Sequence, residues 1–107
     1  MRKTIRFQVA LAAGILLTGA VSFAQSGDAI YKTKCASCHG SAGIPNPGIM
    51  KAMGVKPATD PSVKSKTEAQ MIAATTNGMG AKMPAFKGKL SDAEIKASVA
   101  FFRTFAK

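Results

Sequence analysis

The chain has 107 residues, with 15 Lys and Arg against 5 Asp and Glu, two Cys, one His and no Trp. This length leaves room for one small domain, and no internal repeat or low-complexity tract divides it. The basic residues are spread along the chain rather than clustered, which disfavours a nucleic-acid interface.

Residues 1–24 have the features of a secretory signal. Three basic residues precede a nearly continuous apolar run at residues 9–21, and Ser22-Phe23-Ala24 is the small-x-small pattern that signal peptidase cuts after. An uncleaved membrane anchor is the alternative, but the run is shorter than the roughly 20 residues that span a bilayer. We therefore predict export, cleavage after about Ala24, a periplasmic location and no membrane span in the mature chain.

The mature chain is poor in large apolar side chains. Residues 25–107 hold 12 basic and 5 acidic residues, only 13 Leu, Ile, Val or Phe, and a single Leu, Leu90. Chains this short have an unfavourable ratio of surface to volume, so they need a cross-link, a bound metal or a prosthetic group to stabilise the fold. The composition predicts that a group other than side chains fills part of the interior.

The first predicted helix carries both cysteines. Ser26 or Asp28 can cap a helix that ends near Gly40. Within it, residues 35–39 read C-x-x-C-H, the attachment signature of a c-type haem. Two thiols on one helical turn can join the two vinyl groups of a haem, and the imidazole at i+4 then lies on the same face, close to the iron.

Three other functions of these residues are less well supported by the sequence. A structural zinc site needs four ligands, and Cys35, Cys38 and His39 supply only three. A thioredoxin-like dithiol requires a βαβ pattern, and no strand-period apolar run follows the cysteines. A disulfide across two residues closes too small a loop to stabilise the domain much. We therefore predict one covalent haem c, bound by Cys35 and Cys38 with His39 on the iron.

The middle of the chain should contain little regular structure until a second long helix. Residues 41–65 hold four of the five prolines, so helix there should be short, with one or two turns at residues 49–53. The pair Thr67 and Gln70 fits a capping box that opens a helix ending at Asn77. An irregular loop rich in Gly and Met follows it.

The last helix has the clearest sequence signals. Ser91 and Glu94 form a second capping box, and Ile95, Val99 and Phe102 then recur at i, i+4 and i+7 on one face. No stretch of the mature chain alternates polar and apolar residues with a period of two for long enough to suggest a sheet. The predicted fold class is therefore all-α.

Three segments resemble the small bacterial single-haem class I cytochromes c. They are residues 35–40, residues 82–86 with the sequence Lys-Met-Pro-Ala-Phe, and residues 90–95 at the start of the last helix. The resemblance covers nearly the whole mature chain. It implies a class I cytochrome c domain over residues 25–107, in which three main helices and short turns enclose one covalently attached haem.

The sixth iron ligand has several candidates. The mature chain contains five methionines, Met50, Met53, Met71, Met79 and Met83. Met71 lies in a predicted helix, where core packing is the simpler role. Met83 precedes Pro84, which favours an extended backbone at the methionine. The resemblance to class I cytochromes also points to Met83, with Met79 as the next candidate.

The same resemblance implies two supporting contacts. In that family a proline carbonyl after the haem motif accepts a hydrogen bond from the ligating histidine, and Pro45 and Pro47 are the candidates here for His39. The last helix of the family crosses the first one near a small residue, and Gly27 is the residue here that would permit close approach.

A thioether opposite an imidazole raises the reduction potential and closes the iron to substrate. We therefore predict a soluble periplasmic electron carrier, not an enzyme, that transfers single electrons through its haem. Two alternatives stay open from the sequence: a haem subunit of a larger oxidoreductase, and a haem protein with an open coordination position.

The excess of basic residues favours partners with acidic surfaces. Lys32, Lys34, Lys82 and Lys87 lie close in sequence to the haem motif or to Met83, so they can surround an exposed haem edge. The expected partners are redox proteins with acidic docking surfaces. Export removes the protein from nucleic acid, and we expect a monomer.

Overall fold

A computed structural model describes residues 26–107, so the predicted signal at residues 1–24 lies outside the described part. The helices are α1 (Gly27–Ile30), a π-helical turn (Tyr31–Cys35), α2 (Ala36–His39), α3 (Pro47–Met53), α4 (Pro61–Lys64), α5 (Glu68–Asn77) and α6 (Asp92–Thr104). The described residues form isolated bridges but no strand, which confirms the all-α prediction. Between residues 26 and 107, no helix has the length and apolar character needed to cross a membrane.

The first helical run has a wide turn in its middle. Helices α1 and α2 are joined without a break through the π-helical turn, and the run ends before Gly40 as the sequence predicts. The Thr33 hydroxyl donates to the carbonyl oxygen of Ala29 at 2.9 Å. The Ser26 side chain does not cap the helix; its hydroxyl donates to the Asp28 carboxylate instead.

Two short helices interrupt the proline-rich segment, and both begin in the same way. Asn46 accepts a hydrogen bond from the Ile49 amide at 2.9 Å, and Asp60 accepts one from the Ser62 amide at 2.9 Å. A proline follows each cap at the first helical position, where its missing N–H costs nothing. Helix α3 therefore begins two residues before the predicted turn at residues 49–53, and α4 was not predicted.

Both predicted capping boxes are present. The Gln70 amide donates to the Thr67 hydroxyl at 3.1 Å, while the Gln70 side chain accepts from the Thr67 amide at 2.9 Å. Ser91 and Glu94 make the same reciprocal pair at the start of α6, at 3.1 and 3.0 Å. Helices α5 and α6 consequently begin at the residues that the sequence indicates.

Helix α1 crosses α6 at very short range. A Cβ on Gly27 would collide with the backbone carbonyl of Ala97, so only glycine fits at this crossing. The small core lies beside it. The buried apolar side chains among the described residues are those of Ile30, Tyr31, Ala58, Met71, Ile95 and Val99.

Tyr31 is the largest fully buried side chain and ties the crossing to the end of α2. Its ring centroid lies 5.4 Å from that of Phe101 and 6.1 Å from that of Phe102, and both phenylalanines lie on α6. Its hydroxyl donates to the carbonyl oxygen of Gly40 at 2.6 Å. Burial raises the pKa of Tyr31 to about 12, so the hydroxyl keeps its proton and its hydrogen bond well above neutral pH.

Replacement of Gly27 by Ala should destabilise the folded protein by roughly 1–3 kcal/mol, because helices α1 and α6 must separate to admit the methyl group. Urea unfolding measures the change. Gly48→Ala is the matched control, since a Cβ there meets only the Asn46 side chain, at 3.3 Å. Equal unfolding midpoints for the two variants would contradict the close crossing.

Tyr31→Phe should lower stability at pH 7 by about 1–2 kcal/mol, because the Gly40 carbonyl loses its donor. The raised pKa gives the pH dependence a definite sign. Unfolded tyrosine ionises near pH 10 and folded Tyr31 near 12, so the wild-type protein loses this stabilisation as the pH rises between those values. The stability difference between wild type and Y31F should therefore shrink above pH 10. A constant difference from pH 8 to 11.5 would count against the buried hydroxyl.

Candidate haem site

A central cavity of about 680 Å³ lies beside the core. This volume falls within the roughly 300–1,000 Å³ that cofactor sites occupy. Helices α2, α5 and α6 contribute to its lining, as do the loops after α3 and α5, and most of the lining side chains are apolar. No acidic residue lines it.

The predicted haem-attachment residues all line this cavity. Cys35, at the end of the π-helical turn, and Cys38 and His39, on α2, reach it from one continuous helical run. Both cysteines are free in the structure and partly exposed. Among residues 26–107 there is also no cluster of three or more His, Cys, Asp or Glu that could hold a metal ion by themselves.

The His39 ring is held by packing. Its centroid lies 5.3 Å from that of Phe102, with the rings nearly edge to face. Burial lowers the pKa of His39, so the imidazole is neutral at pH 7 and keeps the lone pair that a metal binds. Burial also raises the pKa of the Cys35 thiol, which keeps it protonated.

The hydrogen bond expected from His39 to a proline carbonyl is not formed. Nδ1 of His39 is buried with no hydrogen-bond partner, so neither the Pro45 nor the Pro47 carbonyl accepts from it. The segment after α2 turns back tightly on itself instead, with the Gly43 amide donating to the Gly40 carbonyl at 3.2 Å.

The loop at residues 78–86 supplies a second group of lining residues and is held by backbone hydrogen bonds. Within the loop, the Met79 amide donates to the Met83 carbonyl at 3.0 Å. At its end, the Phe86 amide donates to the Thr75 carbonyl of α5, also at 3.0 Å. Gly78 has φ +77°, and a Cβ there would lie 2.8 Å from the Met83 carbonyl oxygen. The turn that carries Met83 is therefore fixed against the end of α5.

Four of the five methionines of the mature chain line the central cavity, namely Met53, Met71, Met79 and Met83. Met50 does not line it. Met83 is half-buried, whereas the Met79 side chain is 56% exposed, so Met83 presents the better-shielded thioether of the two in the loop. Met71 is buried in the core as predicted but also reaches the cavity, a second role that the sequence did not indicate.

Two of the four lysines that we expected around the haem edge line the cavity, namely Lys34 and Lys82. Lys32 and Lys87 do not line it. Lys32 instead forms a solvent-exposed ion pair, in which its Nζ lies 3.8 Å from Oδ2 of Asp28. The other cavity lysines are Lys56 and Lys66, which sequence reasoning missed. Both lysines lie outside the helices, so no periodic pattern in the sequence indicates the direction of their side chains.

Lys56 is anchored at the cavity by a short chain of hydrogen bonds. Its Nζ donates to the Ser62 hydroxyl at 3.3 Å, and that hydroxyl donates to the Asp60 carboxylate at 2.6 Å. The hydrogen bonds from Ser62, with a smaller contribution from Lys56, lower the pKa of Asp60. The N-cap of α4 thus also orients a cation at the cavity.

These residues fit a haem on three counts. The two free thiols and the neutral imidazole follow one another on a single helical run, as covalent attachment at one porphyrin edge requires. The lining is largely apolar, as the porphyrin faces require. Cationic side chains and no acidic ones border the cavity, which suits the two haem propionates.

Comparison with known proteins supports the same assignment. The model of the family described as cytochrome c oxidase, cbb3-type, subunit III matches residues 22–102. Cytochrome c6 of Leptolyngbya boryana is 42% identical over 79 residues, which are 74% of this chain and 87% of that protein. The cbb3-type cytochrome c oxidase subunit FixP of Azorhizobium caulinodans is 34% identical over 82 residues, 76% of this chain but only 27% of FixP.

The fold agrees with that of solved relatives. The structure of the KustC0563 c-type cytochrome superposes with a TM-score of 0.70 at 28% identity, over 78% of this chain and 100% of that one. Sequence family, fold and cavity therefore lead to one conclusion: the chain belongs to the small single-haem class I cytochromes c, electron-transfer proteins that bind haem c covalently.

Proposed function

We propose that the protein is an exported, monomeric electron carrier in the periplasm, with His39 and Met83 as the axial ligands of its haem iron. The observation that carries the proposal is a single cavity lined by Cys35, Cys38, His39 and Met83. When bound there, haem supplies one-electron chemistry, because its iron cycles between the ferrous and ferric states.

The surroundings of His39 support its proposed role as an iron ligand. The ring is neutral at pH 7, and its contact with Phe102 fixes its orientation. Met83 provides a soft thioether from a loop held by hydrogen bonds to α5 and within itself. Two protein ligands leave no coordination position for a substrate, and the ordinary activity of such a site is electron transfer.

Export rests on the sequence of residues 1–24. Their basic start, apolar run and small-x-small ending match a secretory signal, and cleavage after Ala24 leaves the domain intact from Ser26 onward. Mass spectrometry of the secreted holoprotein tests this step, since its N-terminus should be Gln25. An N-terminus at Met1 would contradict cleavage.

The basic border of the cavity supports docking to acidic redox partners. Lys34 precedes Cys35 and Lys82 precedes Met83, so each lies beside a proposed haem-binding residue at the cavity. Both side chains are exposed, and no acidic residue lines the cavity to neutralise them. A partner with a negative surface would be attracted towards the part of the protein where the electron leaves.

A haem subunit of a larger oxidoreductase is the second candidate, and the description of the matching family model favours it. The higher identity to cytochrome c6, 42% against 34% for FixP, favours the carrier, and the match covers 87% of cytochrome c6 but 27% of FixP. Affinity purification of the tagged protein from its own cells separates the two. Stoichiometric recovery with a membrane oxidase would replace the carrier proposal.

Met83→Ala should abolish the weak long-wavelength band that methionine ligation gives ferric haem, and it should lower the reduction potential, because the thioether stabilises the reduced iron. Met79→Ala is the matched control on the same loop and should keep both properties. Loss of the band in M79A alone would assign the ligand to Met79. Retention in both variants, or rapid CO binding by the wild-type protein, would reject the proposed ligation.

Combined replacement of Lys34 and Lys82 by Gln should slow reduction by an anionic redox protein severalfold at low salt and much less at high salt, because screening removes the attraction. Stopped-flow spectroscopy measures the rates. The matched control is Lys51→Gln together with Lys96→Gln, which removes the same charge from exposed positions that do not line the cavity. Equal slowing in both double variants would indicate a general charge effect without a docking surface.

A further inference from the structure

Two polar side chains are buried in the described part of the chain, and both lie at the central cavity. They are Thr75 on α5, which is 8% exposed, and Ser98 on α6, which is 3% exposed. Both residues line the cavity. Residues 25–107 contain only 13 Leu, Ile, Val or Phe, and a Val would fill the space of Thr75 without a polar atom. Packing alone therefore does not explain the two hydroxyls.

Both hydroxyls donate their proton within their own helix. Oγ1 of Thr75 donates to the carbonyl oxygen of Met71 at 2.9 Å, and Oγ of Ser98 donates to the carbonyl oxygen of Ile95 at 2.8 Å. A hydroxyl has one proton and two acceptor lone pairs. Among residues 26–107 no group donates to either oxygen. Each hydroxyl therefore keeps unpaired lone pairs, which form the negative end of its dipole.

The bond to the helix carbonyl is not in itself unusual, and two other threonines make it. Thr76 donates to the carbonyl four residues before it at 2.7 Å, and Thr104 donates to the carbonyl three residues before it at 2.6 Å. Neither of them lines the central cavity, and Thr104 is exposed to solvent. Thr75 and Ser98 differ from them in being buried at the cavity, where water screens a dipole weakly and its field is strong.

We propose that Thr75 and Ser98 lower the reduction potential of the bound haem, because the negative ends of their hydroxyl dipoles stabilise the oxidised iron. Oxidised haem carries one more positive charge than reduced haem, so a nearby negative dipole favours the oxidised state. The two oxygens act through their field and accept no hydrogen bond from the cofactor. The proposal rests on the electron-transfer role of the protein, but it does not depend on export or on which methionine binds the iron.

Spectroelectrochemical titration of the holoprotein tests the proposal. Thr75→Val keeps the shape of the side chain and removes the hydroxyl. At a fixed applied potential this variant should raise the ratio of reduced to oxidised haem by about threefold or more, which corresponds to about 28 mV for a one-electron couple. Ser98→Ala should change the ratio in the same direction, and the double variant should change it further than either single one.

Two further substitutions are matched controls. Thr76→Val and Thr104→Val remove hydroxyls that make the same bond on the same two helices but do not line the central cavity. Each should change the ratio of reduced to oxidised haem by less than about 1.5-fold, because screening weakens the effect of a dipole nearer to solvent. Thr75→Ser keeps the hydroxyl and should keep the wild-type ratio, which separates loss of the dipole from a change in packing.

Two results would overturn the proposal. One is a change of the ratio that is no larger in T75V and S98A than in T76V and T104V. The other is a fall of the ratio in T75V and S98A, which would mean that the hydroxyls donate towards the iron ligands instead of to the helices. If T75V does not fold with haem, S98A alone carries the same expectation.

Failure of the proposed ligation is visible separately. A wild-type holoprotein without the long-wavelength band of methionine ligation would reject Met83 as a ligand. The comparison of T75V and S98A with their controls would still decide the role of the two hydroxyls, since it requires only a bound haem whose potential can be measured.

Discussion

The structure depends on a shortage of apolar side chains. Six apolar residues are buried among residues 26–107, and three of these, Tyr31, Met71 and Val99, also line the central cavity. The helices therefore meet around a space instead of on a continuous core. A flat apolar cofactor supplies the contacts that side chains would make in a larger domain, and its covalent bonds keep it in place. Folding and haem binding are consequently expected to be coupled in this protein.

The contacts that hold the helix crossing also hold His39, the proposed iron ligand. Tyr31 packs against the aromatic residues of α6 and donates to the carbonyl of Gly40, the residue immediately after His39. Phe102, on the same helix α6, lies against the His39 ring. A shift of α6 would therefore move the imidazole as well. A carrier with the proposed ligation would benefit from this arrangement, because a ligand that is fixed by the core would change position little when the iron changes charge.

Local sequence signals predicted the long helices well, because each helix start is determined by a few residues that are neighbours in the sequence. The capping boxes at Thr67 and Ser91 and the C-x-x-C-H motif are of this kind. Helix α4 could also have been found, since Asp60 before Pro61 is an N-cap signal like Asn46 before Pro47. The π-helical turn, the second role of Met71 and the direction of Lys56 depend on packing between distant segments, and no local pattern encodes them.

The distribution of charge separates most cations from the carboxylates. The acidic side chains all lie at helix starts, where the helix dipole favours a negative charge, and among residues 26–107 one ion pair forms, between Lys32 and Asp28. The central cavity has no acidic side chain among its lining residues, and its lysines are Lys34, Lys56, Lys66 and Lys82. The haem propionates are the natural counterpart for cations in that position, so the placement of the acidic residues at helix starts also leaves the cavity suited to its cofactor.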